Sequence, residues 1–197
     1  MRAQSRAALI SAARKLFAEK GYFNCKVSDV ARQAGMSQGN VYWYFSSKED
    51  LLKAVLGDGF ESLGEALAQA AEGPGTGLDK LDQLIAGVYA FARERGDFNT
   101  IMLSLLGHGG ETLFGELGFD MSQIGLGYTQ SVTAIVSQGQ AEGAIPEDLD
   151  PLALTMFFFG LFNGLNLTYG NQWLTLPKTD VRNAVMRLFG VRQDNQQ

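Results

Sequence analysis

Residues 27–52 read VSDVARQAGMSQGNVYWYFSSKEDLL, and this stretch decides the fold. Val30, Ala31, Ala34, Met36, Val41 and Tyr44 recur at intervals that give each of two short helices one apolar face. Gly35 interrupts the pattern between them, where a glycine can take positive φ and end the first helix. Ser37 follows at the position where a hydroxyl accepts a free backbone N–H of the second helix. Small Ala31 lets the second helix cross close to the first. The pattern is that of a helix-turn-helix, whose second helix enters the DNA major groove with its N-terminal residues at base edges.

On the N-terminal side, Leu9, Ile10, Ala13, Leu16 and Phe17 form one apolar stripe over about Ser5 to Lys20, and Gly21 stops it. The opposite side carries Arg2, Arg6 and Arg14, read either as a solvated basic face or, for Arg2 and Arg6, as phosphate contacts. Tyr22, Phe23 and Phe45 close a small three-helix core. On the C-terminal side, Ser46-Ser47-Lys48-Glu49-Asp50 puts serine caps and acids at a new helix start, as that end's positive dipole favours. The helix continues to about Ala71, with Gly57 and Gly59 as candidate bends.

The remaining 120 or so residues read as helices in series. One covers about Leu78 to Arg95 and a short apolar one Thr100 to Leu106, ending at Gly107-His108-Gly109-Gly110. Further helices cover Met121 to about Glu142, Pro151 to about Asn171 behind an Asp150 N-cap, and Thr179 to Phe189. The apolar run Leu152 to Phe162 falls short of the roughly 20 residues that span a bilayer, so a buried helix and no membrane contact are expected. Gly73-Pro74-Gly75-Thr76-Gly77 is a loop. Its GxGxG spacing lacks both a preceding strand and a GK[ST] ending, so a nucleotide site is rejected.

Charge is unevenly spread. The whole chain carries a net −5, yet residues 1–50 hold eight Lys or Arg against four acids, which leaves −9 for the rest. A basic end on an acidic body suits a protein that meets phosphate at one end only. The single cysteine, Cys25, permits neither an internal disulfide nor a cysteine zinc site, and with Arg14 and Lys15 interrupting any apolar signal core a cytoplasmic protein is expected. No nucleophile stands with a base, no carboxylate pair marks a cleft, and His108 is the only histidine, so no catalytic residue, metal site or cofactor is expected.

The segment GYFNCKVSDVARQAGMSQGNVYWYFSSKEDLL at 21–52 resembles the DNA-binding signature of the tetracycline-repressor (TetR) family of transcriptional regulators. The resemblance rests on Gly21-Tyr22, the Val-x-x-Val-Ala-x-x-Ala-Gly-Met-Ser run at 27–37, Gly39, Tyr42-x-Tyr44-Phe45 and Ser47 to Leu52. It implies an all-α fold of about nine helices: a helix-turn-helix DNA-binding domain at 1–47 and a ligand-binding and dimerisation domain at 48–197. It also implies a homodimer on a palindromic double-stranded operator. Carried over by position, Gln38, Gly39, Asn40 and Trp43 face the bases, while Ser37, Tyr42, Tyr44 and Lys48 fix phosphates. Gln38 and Asn40 each offer a donor and an acceptor, as adenine N6 and N7 require. Trp43 has two readings, a thymine methyl contact or closure of the small core.

Two positions depart from the family pattern. Lys26 stands where Ser or Thr usually caps the second helix, trading a cap for a cation that reaches phosphate and leaving the helix start to Ser28 or Asp29. Gln38 replaces a basic residue, which shifts weight from charge to readout.

The aromatic-rich body suggests a pocket for a small, mostly apolar effector. Its candidate lining is Phe91, Met102, Leu105, His108, Tyr128, Phe158, Phe162 and Asn166, with ordinary core packing as the competing reading of the aromatics. Gly160-x-x-x-Gly164 permits close backbone approach, so that face, with Val185, Leu188 and Phe189, is assigned to the dimer bundle. The function expected is a repressor released from its operator when ligand changes the separation of two reading heads. The alternative is a ligand-independent DNA-binding activator or architectural protein.

Overall fold

A computed structural model describes residues 2–107 and 110–191. All regular structure among these residues is helical. In chain order the elements are α1 (Arg2–Lys20), α2 (Val27–Gln33), α3 (Gln38–Tyr44), α4 (Lys48–Glu72), α5 (Gly77–Leu106), α6 (Gly110–Glu116), α7 (Met121–Ala141), α8 (Pro151–Tyr169), a 3-10 turn (Gln172–Thr175) and α9 (Lys178–Leu188).

The first stretch folds as its periodicity dictates. Leu9, Ala13, Leu16 and Phe17 of α1, Val30 and Ala31 of α2, Val41 of α3 and the following Phe45 are all buried. Gly35 takes φ +67, the left-handed conformation that lets the chain leave α2 and re-enter α3 after two residues. Ahead of α4, Ser47 Oγ accepts the Asp50 N–H at 3.0 Å, and the Asp50 carboxylate takes the Ser46 N–H at 3.0 Å in return. The first bond satisfies one of the donors a helix start leaves open, and the second ties down the chain leading into it.

The middle of the chain differs from expectation in three places. α4 passes through Gly57 and Gly59 without interruption. Gly59 serves packing instead, because the Phe98 ring occupies the space a Cβ would need. Gly77–Leu106 is two helices meeting at a kink at Arg95, whose φ −129 and ψ 25 leave the helical region, so the break falls where the sequence ends its helix but the second part restarts directly after it rather than at Thr100. The third difference is α6, short and glycine-flanked, over residues where the sequence offers only turn signals.

By packing, the described chain divides into two compact units. One comprises residues 1–61 with 95–121, the other 62–94 with 122–197. In the first, the post-break part of α5 contributes Phe98, Ile101 and Leu105 to the buried set. It is also tied to α1: Arg14 Nε donates to Asp97 Oδ2 at 2.8 Å, and Arg14 Nη1 lies 3.8 Å from Asp58 Oδ2 of α4, which also pairs with Arg95. Asp97 Oδ1 is buried and without a hydrogen-bond partner among the described residues.

The second unit is built round Leu81, Leu84, Ile85 and Val88 of α5, Val132, Ile135 and Val136 of α7, Phe158 and Phe162 of α8, and Val181, Val185 and Phe189 on and after α9. Trp173, in the 3-10 turn, plugs one end; its ring stands edge-on to Tyr89 and Phe162, each at 5.7 Å. Tyr89 Oη donates toward the Leu174 and Leu176 carbonyls, at 3.1 and 3.2 Å, and fixes the segment leading into α9. In the 73–77 loop, Asp79 accepts from the Thr76 N–H and hydroxyl, and Glu142 accepts the Gly77 N–H at 2.6 Å. The Thr76 and Gly77 donors are thus spent within the fold.

The apolar run of α8 predicts burial all round, and the structure buries one side only. Leu154, Thr155, Phe158 and Phe162 face the core, while Met156 is 67% and Phe157 74% exposed. By length and composition this helix is apolar enough to cross a membrane. Its core-facing side, held by Phe158, Phe162 and a Thr155–Thr133 hydroxyl bond of 3.0 Å, marks it as a core helix with one uncovered face.

Candidate DNA-reading helix and self-association face

The reading helix is set by its ends. Ser37 has extended φ −75 and ψ 154, and its Oγ accepts the Asn40 N–H at 3.2 Å, the N-cap geometry its position in the sequence indicates. At the other end Phe45 turns extended and buries its ring. Between them only Val41 is buried, so α3 is pinned along one line while its other side chains are exposed or partly exposed. Gln38, Gly39 and Asn40, in the first turn, are all exposed. A Cβ at Gly39 would meet nothing nearer than Ser37 Oγ at 3.9 Å, so packing does not demand a glycine there. Its missing side chain leaves backbone open to an approaching groove.

Trp43 is 57% exposed, which removes the reading that it closes the core. It rests edge-on against Tyr44 at 4.6 Å and 87°, and Tyr42 beside it is half-exposed. Tyr44 is partly buried.

Around this helix the cations are held in different ways. Lys26 is exposed at the start of α2; its backbone N–H donates to Asp29 Oδ2 at 3.5 Å, so Asp29 supplies the cap that Lys26 cannot. Asp29 also accepts from Arg32 at 2.7 Å and Lys20 at 3.5 Å. The Lys26 amide, helped by these two cations, holds its carboxyl below the ordinary value. Lys48 is less free than expected of a phosphate contact: Nζ lies 4.3 Å from the Tyr22 ring centre and donates to the Phe23 carbonyl at 3.5 Å. Tyr22 Oη donates to Glu49 at 3.2 Å; burial first, and that carboxylate second, push the Tyr22 hydroxyl well above its usual range. Arg6 lies over the Phe45 ring at 5.3 Å. The Arg2 side chain lies outside the described residues.

The candidate effector residues separate. His108 lies outside the described residues. Met102 and Leu105 belong to the first unit, and Phe91, Tyr128, Phe158, Phe162 and Asn166 to the second. Phe158 and Phe162 are core residues, packed on each other at 4.9 Å, as the competing reading had it. Asn166 is not a free ligand handle: its Nδ2 donates to the Phe162 carbonyl at 2.8 Å and its Oδ1 accepts from Trp173 Nε1 at 3.0 Å. Both ends of the amide are used within the fold. Phe91 is buried, Tyr128 is half-buried, and burial pushes the Tyr128 hydroxyl up to about 12.

The dimer assignment also needs correcting on α9. Val185 and Phe189 point into the core, and only Leu188 of the three, 62% exposed, lies on the free side. On α8, Gly160 and Gly164 would meet nothing within 4 Å of an added Cβ. They sit in a largely exposed stripe with Leu152, Met156, Phe157, Asn163 and Leu167. A groove of about 510 Å³ opens beside the Met156–Gly160 part of it, lined by Leu154, Phe158 and Phe189 and by Met156, Phe157 and Leu188. The glycine spacing picks out this face in the sequence, but because α8 is apolar all round, periodicity does not say that Leu152, Met156, Phe157 and Leu167 stay uncovered with it.

Comparison with known proteins agrees with this geometry. A family model described as bacterial regulatory proteins, tetR family, matches residues 9–55. The fatty acid metabolism regulator protein of Bacillus subtilis (strain 168) is 30% identical over 181 residues, covering 92% of this chain and 91% of that protein. The HTH-type transcriptional regulator TtgR of Pseudomonas putida is 27% identical over 184 residues, covering 88% and 82%. In fold, the TetR family regulator PfmR from Thermus thermophilus superposes with a TM-score of 0.77 at 20% identity, covering 94% of this chain and 98% of that one. A helix-turn-helix with its reading turn exposed, an all-helical body and end-to-end similarity to such a regulator lead to one conclusion: the chain belongs to the TetR family and is a DNA-binding transcriptional regulator, not an enzyme.

Proposed function

We propose that this regulator is a repressor that binds a palindromic operator as a homodimer and is released by a small, mostly apolar effector. The observation that carries the reading is the free first turn of α3, where Gln38, Gly39 and Asn40 stand exposed beside Trp43 on a helix anchored by Ser37 and Phe45. Gln38 and Asn40 read adenine edges, Trp43 packs on a thymine methyl, and the Gly39 backbone enters the groove. Lys26, Ser37, Tyr42 and Tyr44 hold phosphates and set register. Lys48 joins them only by leaving the Phe23 carbonyl. Two such heads, one turn of DNA or a multiple apart, read the two half-sites about 34 Å apart.

The effector reading is supported by the aromatic content of the second unit, with Phe91 and Tyr128 as the lining residues to test. The similarity to a fatty acid metabolism regulator favours an acyl-chain compound. Ligand acts by preferring the head separation that does not fit the operator, since only differential affinity shifts such a balance. The test has two steps. Selection from a random duplex pool recovers the operator as an inverted repeat, and its affinity is then measured with and without long-chain fatty acids and their thioesters. A loss of tenfold or more at saturation is expected. Unchanged affinity with every apolar compound tried would reject release by ligand, and recovery of no duplex would reject the operator.

A further inference from the structure

α8 carries no charged residue from Pro151 to Tyr169, and its uncovered stripe runs through Leu152, Met156, Gly160, Asn163, Gly164 and Leu167. That is about 22 Å of helix at 1.5 Å per residue. Asn163 is the one amide on it, and its side chain meets no hydrogen-bond partner among the described residues. We propose that Asn163 is the polar key of self-association: in the homodimer it lies beside the two-fold axis and pairs with the partner subunit's Asn163. The inference rests on the homodimer reading above and adds where the copies cross and what fixes their register.

The argument runs from shape to symmetry. A second copy is the occupant that fits, because a charge-free apolar face of this length excludes a charged partner, and family members act as homodimers. The space above Gly160 and Gly164 is open, so a facing backbone comes nearest there. In a two-fold dimer a helix packed on its own mate comes closest at the axis, where like residues meet. Asn163 lies between the two glycines on the same face, hence next to its counterpart. An amide is self-complementary: each Nδ2 donates to the other's Oδ1, and both are satisfied at once. Any slipped register, or a mismatched apolar partner, buries the amide unpaired, so one residue penalises all arrangements but one.

The test uses the full chain with Asn163→Asp and Asn163→Lys, each carrying a different affinity tag. Residue 163 is exposed in the protomer, so both variants should keep wild-type helicity; circular dichroism checks this. By analytical ultracentrifugation each variant alone should lose at least tenfold in dimer affinity. Mixed, the two should form a heterodimer that both tags recover, because opposite charges then meet at the axis. Variants that dimerise like wild type would overturn the proposal, and so would weakened variants that fail to recover on mixing. Wild-type protein that stays monomeric at tens of micromolar would instead bring down the homodimer reading beneath it.

Discussion

At Asn40 and Lys26 two kinds of DNA contact can be told apart by experiment. An amide that reads a base carries sequence information, whereas an ammonium near a phosphate does not. Asn40→Ala should cost about 1–3 kcal/mol on the selected operator and relax preference at one base pair in each half-site. Lys26→Ala should weaken all duplexes alike and lower the slope of log affinity against log salt by about one per head. Titrations at several salt concentrations on cognate and single-substitution duplexes measure both. At this scale the sequence was most legible where chemistry is local. Ser37 caps as its position requires, and Asp29 takes over the cap that Lys26 cannot make. It was least legible where a side chain's partner lies away from its own helix: Asn166 looks like a free amide until Trp173 is placed against it.

Among the helices, the close approach of α4 to the post-break part of α5 was hidden from the sequence, because glycine marks both bends and contacts. Gly57 and Gly59 look alike in sequence and behave differently in the fold. An added Cβ at Gly57 meets nothing within 4 Å, while at Gly59 it collides with the Phe98 ring. Gly57→Ala should therefore stabilise the chain by up to about 1 kcal/mol through helix propensity. Gly59→Ala should destabilise it by about 1–3 kcal/mol, since the ring must move in a packed interior. Urea midpoints of the two variants check the difference, and equal shifts would mean that Phe98 is not held where it stands. Helix existence was readable from periodicity throughout, apart from the seven-residue α6. The helix end at about Arg95 was readable too, whereas the direct restart after it, with no connecting loop before Thr100, was not.

For the whole molecule, the proposed homodimer makes the uncovered side of α8 the surface to test. Phe157, 74% exposed on a helix without charge, is placed to be covered by a second copy. Phe157→Glu should leave protomer folding intact, weaken self-association and make operator occupancy depend steeply on protein concentration; gel retardation across a dilution series reads this. Occupancy as insensitive to dilution as that of the wild type would show that the face is not needed on DNA. The chain's two tryptophans sit at opposite extremes of environment, Trp43 in solvent on the reading helix and Trp173 3% exposed among aromatic rings. The protein therefore carries two intrinsic optical reporters. A quencher in the buffer reaches the first indole and spares the second, so one emission band follows the surface that meets DNA and the other follows the integrity of the body.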